Sequence, residues 1–350
     1  MAFTPIAKSS SFFNPTLYTG NGTVDTALTT GTFQPDLTWF KNRGTTESHM
    51  WMDAVRGATK YIQSNSTAQQ GTSADKISAF TSTGVTLGSG AETNENSQPL
   101  VCYAWKANGS GSSNSDGSIT STVSVDTTSG FSIVEWTGTE AAATVGHGLG
   151  AIPKMIIVKA IDDSGGTDWI VYHHSLGNTK NVRLNTSAAE DTNANAWNST
   201  TPTSSVFSVG NFNDTNRSGG QLIAYCFAEV SGFSSFNKYT GNGNSNGAYI
   251  YTGFKPSFIM IKRSNDAANW VMKTKKFPTF GTAGYNQNNK YLYANLTNAE
   301  AAGSALDFLS NGFKWRISSG FRNADGVKFV YMAFAENPFV SSTGTPGPAR

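Results

Sequence analysis

The sequence predicts an all-β protein of three tandem, divergent β-sandwich units of jelly-roll-like build, with little helix. Three observations predict it. Ser, Thr, Asn and Gly carry the polarity in place of charged residues. One ordered set of landmarks recurs three times. The apolar runs between the landmarks read as strands.

The composition comes first. Of 350 residues, 38% are hydrophobic and only 14% are charged, against about 25% charged in a typical globular domain. Thr favours strands, while Gly and Asn supply the positive φ of tight turns. Long helices are poorly served by this mixture. The net charge is +2, from 25 basic and 23 acidic residues, and no basic stripe exists of the kind nucleic-acid binding needs. No apolar stretch approaches the ~20 residues of a membrane span. The first residues have neither the basic nor the apolar region of a secretory signal. Cys102 and Cys226 sit in similar apolar runs and are expected as two buried free thiols.

The repeat is the most informative feature. Tyr18-Thr19-Gly20-Asn21-Gly22 and Tyr239-Thr240-Gly241-Asn242-Gly243 are each followed by a Pro-initiated apolar strand ending in Lys, at Pro35 to Lys41 and Pro256 to Lys262. A worn copy runs from Trp136-Thr137-Gly138-Thr139 to Pro153 through Lys159. Trp51, Trp169 and Trp270 then centre a second strand, and an aromatic-rich apolar strand closes each copy. The Asn-Gly turns are expected to close hairpins. Unbroken runs such as Ile156-Ile157-Val158 are expected to be buried on both faces, and the alternating Ile119 to Val125 to be half exposed. Short helical turns are expected at 298–302 and 187–191. The resulting division is an N-terminal arm (1–12) that is either an attachment arm or an edge strand, unit one (13–106), a linker and strand (107–129), unit two (130–230), unit three (231–340) and a flexible tail (341–350).

Catalytic and metal-binding patterns are weak. His147, in Gly146-His147-Gly148-Leu149-Gly150, is expected to pin a tight turn, because a phosphate loop would have to open a helix. His173 and His174 are adjacent on a strand, so their side chains should point to opposite faces and not share a metal. Gly243-Asn244-Ser245-Asn246-Gly247 matches a nucleophile elbow in letters only, since a strand-like segment follows it and not a helix. No His or Cys spacing supports zinc. Neither a catalytic residue, a metal nor a cofactor is expected. Trp39, Trp51, Trp105, Trp169, Trp270 and Trp315 are expected in the core. The aromatic and amide residues left over suit either an ordinary polar loop beside an edge strand or sugar contact, through ring stacking and hydrogen bonds to hydroxyls. Tyr285, Asn286, Tyr291 and Tyr293 form one candidate loop region. Asn211, Asn213 and Arg217 form a second.

Taken together, Tyr239 to Gly243 with Tyr251-Thr252-Gly253-Phe254-Lys255-Pro256, Gly146 to Gly150 with Pro153 to Lys159, Tyr225-Cys226-Phe227-Ala228-Glu229, and Gly117 to Ser124 resemble tail-fibre-type repeat proteins of marine tailed bacteriophages, cyanophages included. The resemblance covers about Phe13 to Phe339. It implies a non-enzymatic virion protein, made in the host cytoplasm and displayed on the particle exterior. As a tail fibre or tail knob it would take part in host-surface glycan recognition. The alternatives are a capsid decoration or head-fibre protein and, more distantly, a polysaccharide-degrading tail enzyme. Implied partners are other virion proteins of tail or capsid, a host-surface glycan, and further copies of the chain, a homotrimer being favoured; neither nucleic acid nor membrane insertion is expected. Long fibres usually carry an anchoring domain and a trimeric stalk, and no heptad pattern is found here.

Overall fold

The computed structural model describes residues 4–277, 287–318 and 320–338. The described chain is almost entirely β, with two four-residue helical turns, Ala91–Asn94 and Asn213–Asn216, and one 3-10 turn, Ser9–Ser11. The segments 187–191 and 298–302 are not helical. They are extended connections instead, tied to neighbouring units by backbone hydrogen bonds.

One strand order recurs three times. Phe13–Thr19, Pro99–Trp105, Leu37–Asn42 and Met50–Asp53 lie side by side in the first unit. In the second the same order is Phe131–Thr137, Gln221–Ala228, Pro153–Ala160 and Ile170–His173; in the third it is Ser234–Thr240, Lys328–Asn337, Lys255–Arg263 and Val271–Thr274. All pairings between these strands are antiparallel. Each inner sheet is covered by a smaller outer sheet, formed around Thr26–Thr29 and Gly84–Leu87, around Ala143–Gly146 and Val206–Val209, and around Tyr249–Tyr251 and Gly312–Trp315. The composition of the 107–129 segment reads as a linker, yet Ser112–Asn114 and Ser121–Asp126 extend the second inner sheet.

Alternation along each inner strand divides its side chains between two cores. Ile156 and Val158 face a core private to unit two, while Ile157 faces a central core. Units one and three have private cores of their own, and both cysteines lie free and buried in private cores. The central core draws on all three units. At its middle Trp105, Phe227 and Phe334 occupy the same register position in their respective sheets. Their ring centroids stand 6.3, 5.9 and 6.0 Å apart, a nearly equilateral triangle. The units therefore surround an internal pseudo-threefold axis and are not beads on a string. The arm is part of this packing: Ile6 is fully buried in the central core and Phe12 packs on Phe233 of unit three.

The ring closes through equivalent hydrogen bonds at its three seams. Gln70 N–H donates to Ile161 O (2.8 Å), Glu190 N–H to Ser264 O (2.6 Å) and Glu300 N–H to Arg43 O (2.8 Å). The third of these joins the last unit to the first, and a buried Arg43–Glu300 ion pair at 2.7 Å reinforces it.

The Thr-Gly-Asn-Gly motif does not close a hairpin, because the strands on either side of it belong to different sheets. It forms the corner where the chain crosses from inner to outer sheet, and the same is true of the loop Gly243 to Gly247. A buried asparagine from the loop before the last inner strand holds each corner. Asn94 accepts from Asn21 N–H (3.0 Å), Asn216 from Thr139 N–H (2.9 Å) and Asn323 from Asn242 N–H (3.2 Å). Each amide nitrogen donates to surrounding oxygens, for Asn216 to Ala141 O at 2.7 Å and Gly210 O at 3.0 Å. A buried backbone group left unpaired costs about 1–3 kcal/mol. Asn216→Ala is therefore expected to destabilise the protein by about 2–4 kcal/mol in urea titration, whereas Thr128→Ala, on an exposed turn, is expected to be nearly neutral. Because the units share a central core, the native chain should unfold in one calorimetric transition with equal calorimetric and van't Hoff enthalpies; three separable transitions would contradict the shared core.

Candidate functional site

The inner strands end in a buried lysine in every unit, and each lysine is spent on the scaffold. Lys159 Nζ donates to Thr67 O of unit one (2.9 Å) and to Thr167 O (2.8 Å); Lys262 Nζ donates to Ser187 O of unit two (3.1 Å) and to Ala268 O (2.8 Å). Lys41 Nζ donates within its own unit, to Asn42 O and Thr45 O. Burial pushes all three amines down to about 8.

The residue preceding the third inner strand in chain order (Met50–Asp53, Ile170–His173 or Val271–Thr274) reaches across each seam. Trp169 Nε1 donates to Gln63 O (2.9 Å) and Trp270 Nε1 to Arg183 O (2.8 Å). In the first unit the equivalent residue is His49, not Trp51: register pairs Phe40 with Met50, Val158 with Ile170 and Ile261 with Val271. Trp51 instead matches Val171 and Met272 in the central core. Trp39 Nε1–H donates to His49 Nδ1 at 2.7 Å. That leaves Nε2 to carry the ring proton, donated to Tyr293 O at 2.9 Å, and makes His49 a neutral imidazole whose pKa burial pushes well down.

The other histidines are similarly engaged. His147 Nδ1 accepts from Leu149 N–H (3.2 Å) and Nε2 meets Thr203 O (3.2 Å), so the ring pins its turn. His173 and His174 do not point apart. The strand ends at His173, which frees His174 to turn, and the rings stack with centroids 5.3 Å apart. Their Nε2 atoms meet separate carbonyls, Tyr331 O at 3.1 Å and Phe236 O at 2.7 Å. Burial holds the pKa of all four rings down, that of His173 to about 3. Among the described residues no group of three His, Cys, Asp or Glu side chains could hold a metal.

The best-formed depression near the predicted sugar-contact residues is a cleft of about 310 Å³ at the seam of units two and three, lined by Ser187, Asn269, Tyr293, Phe321 and Arg322. The Arg322 guanidinium lies 4.3 Å above the Tyr291 ring and 5.9 Å from that of Tyr293, with Nη2 donating to Tyr293 Oη (3.4 Å). The two tyrosine rings meet edge to face at 5.1 Å. Phe321 is 64% exposed at the rim, while Arg322 is buried and its Nε lacks a hydrogen-bond partner among the described residues. A buried cation held against aromatic faces, beside an exposed ring and the amide of Asn269, suits a polar ligand carrying hydroxyl or carboxylate oxygens.

The two candidate regions from the sequence fare differently. Tyr291 and Tyr293 come together, but Tyr291 is a buried support under Arg322 and only Tyr293 lines the cleft. Tyr285 and Asn286 lie outside the described residues. Asn211 and Asn213 are exposed on unit two, at the short helical turn that carries the buried Asn216 clamp. Arg217 is engaged with Asp162 (3.3 Å) and Asp163 (3.7 Å), so this loop chiefly holds a corner. Sequence reasoning missed Phe321 and Arg322. Register would have found them, since they replace Glu92-Thr93 and Asp214-Thr215 immediately before the clamping asparagines.

The fold and site define a class: an all-β assembly of sandwiches closed about an internal axis, with its histidines and the lysines that end its inner strands hydrogen-bonded into the scaffold. The chain belongs to the family described as a domain of unknown function, DUF7483, whose model matches residues 8–338. No curated protein and no solved structure matches it significantly.

The pKa directions fix a pH profile. A histidine with a lowered folded-state pKa leaves the unfolded chain holding the extra proton at any pH between the folded and unfolded values. Stability from His49, His147, His173 and His174 is thus fully present above about pH 6.5 and is lost as pH falls below it. The lysines act likewise at higher pH, so stability rises from about pH 8 toward 10.5. Buried Tyr103, Tyr225 and Tyr239, whose pKa burial raises, reverse the trend above about pH 10. Urea midpoints measured from about pH 6 to 11 should fall on both sides of a maximum near pH 9–10. Below about pH 6 the carboxyls of Asp36, Glu47, Glu135 and Asp214, raised by burial, act in the opposite sense, so the histidines are read between about pH 7 and 6, where a midpoint that does not fall would contradict neutral, buried rings.

Proposed function

We propose that the protein is a non-enzymatic virion component displayed on the exterior of a tailed phage particle, most simply a tail fibre or tail knob protein taking part in host-surface glycan recognition. One observation carries this reading: the groups best suited to acid–base or nucleophilic chemistry are consumed by the scaffold. All four histidines bind backbone carbonyls, both thiols are buried, and three lysines cap chain segments at the ends of inner strands. Outward, beside a scatter of exposed charges, stand Asn, Ser, Thr and some aromatic side chains, the groups that bind neutral sugars by hydrogen bonding and stacking. The threefold arrangement expected of a homotrimer is supplied here inside one chain, so avidity would come from several such chains on one particle.

The alternative, a capsid decoration protein, is favoured by the same internal symmetry, since a pseudo-threefold chain fits a threefold or quasi-threefold point of a shell with one copy per point. Copy number separates the two: a few chains per particle indicate the tail, hundreds the capsid. For the recognition reading, purified full-length chain added to host cells should slow adsorption of intact particles in a concentration-dependent way. Adsorption unchanged at saturating chain would reject a role in host attachment.

A further inference from the structure

The three units provide an internal control for what the fold itself requires. The first strand of each outer sheet occupies one structural position. Thr30 and Gly31 N–H donate to Thr83 O, His147 N–H to Ser205 O, and Thr252 and Gly253 N–H to Asn311 O. Thr29, Gly146 and Tyr251 are therefore equivalent, as are Ala27, Thr144 and Tyr249. At these two positions unit one presents only Ala27 and Thr29 to solvent, while in unit two the 114–118 segment lies over Thr144 and the buried Gly146. Unit three alone carries two tyrosines, 46% and 65% exposed, on either side of the buried Ile250. Large exposed aromatics that the fold does not need mark a contact surface.

The rings also have room to lie down. Tyr249 leans over Gly312 on the neighbouring strand, where an added Cβ would come within 3.0 Å of Tyr249 Cε2. Tyr251 runs along its strand toward Gly253, whose Cβ would lie 3.6 Å from Tyr251 Oη. Tyr249 Oη is fixed by Asn311, donating to Oδ1 at 2.5 Å and to the backbone O at 3.1 Å. Lys314 faces Tyr249 across the sheet, and the exposed amides of Asn244 and Asn246 precede the strand. Two flattened rings two residues apart on a strand are spaced by about 6.5–7 Å, within the span of two linked sugar rings, with amide and ammonium donors at the rim.

We propose that Tyr249 and Tyr251 form a carbohydrate-binding platform on the outer sheet of the third unit, stacking on successive pyranose rings of a polysaccharide while Asn311, Lys314 and the Asn244–Asn246 loop bond their hydroxyls. This rests on the glycan-recognition reading above and locates it away from the cleft at Phe321 and Arg322. The test uses the full chain on an array of bacterial surface oligosaccharides and polysaccharides, beside a double variant with unit one's side chains, Tyr249→Ala with Tyr251→Thr, and a Tyr249→Phe/Tyr251→Phe control. The native chain is expected to bind at least one glycan, the Ala/Thr variant to bind it on the order of tenfold more weakly with unchanged circular dichroism, and the Phe pair to stay within about threefold of native because the stacking faces remain. If the native chain binds and the Ala/Thr variant binds equally well, the platform is wrong and the glycan reading survives. If the native chain binds nothing on the array, both fall.

Discussion

The structure depends on three aromatic rings meeting at one point. Trp105, Phe227 and Phe334 come from the last inner strand of each unit, and each strand is already fixed in register by neighbours on both sides. Large aromatic groups bury about 150–250 Å² apiece and favour tilted or edge-to-face contacts with centroids 4.5–7 Å apart; the triangle falls in that range. An inner sheet covered only by its own outer sheet would leave Tyr103, Trp51, Tyr225 and Met260 facing water. Closing three such faces on one another removes that exposure without adding a layer, which is why the third unit returns to the first.

The seams show what closure demands. A junction between sheets leaves carbonyls and N–H groups without a ladder partner, and burying them unpaired is costly. The chain answers with long side chains anchored in one unit that end on the backbone of the preceding one: Lys159, Lys262, Trp169 and Trp270. At the seam that closes the ring the solution is different. His49 stands in the tryptophan position, Lys41 stays within its own unit, and the Arg43–Glu300 ion pair takes over. Removing one member of such a buried pair leaves an uncompensated charge, so the closing seam depends most on specific partners.

Two departures from the shared pattern fall in the third unit. Units one and two place an acid and a threonine before the clamping asparagine, and unit one places small residues, Ala27 and Thr29, on the outward face of the outer strand. Unit three places Phe321-Arg322 at the first position and Tyr249 with Tyr251 at the second. Neither change alters the strand order, the clamp or the axis. A repeated scaffold allows this, because the structural work of a position can be read from the copies that kept it, and what differs in the remaining copy is available for contact.

The sequence by itself determined the local elements. Pro153 and Pro256 sit at strand starts where the register shifts, the unbroken run around Ile157 is buried on both faces, and the repeat of landmarks is the repeat of strand orders. Those features follow from period-two alternation, fixed φ at proline and missing donors, all of which act over a few residues. Only the tertiary structure decided what covers each face. Thr-Gly-Asn-Gly reads as a hairpin turn because its neighbours are strands; it is a corner because a residue 73 or 81 positions away, Asn94 or Asn323, fills it. His49 could not be matched to Trp169 by letters, since the equivalence lies in pairing register and in the carbonyl it reaches. Tyr291 looked like a surface ring among amides and proved to be a support, while Tyr249 and Tyr251 looked like ordinary strand residues and proved to be exposed. Strand alternation sorts side chains into two faces, but which face meets water is set by the sheet that arrives from elsewhere in the chain.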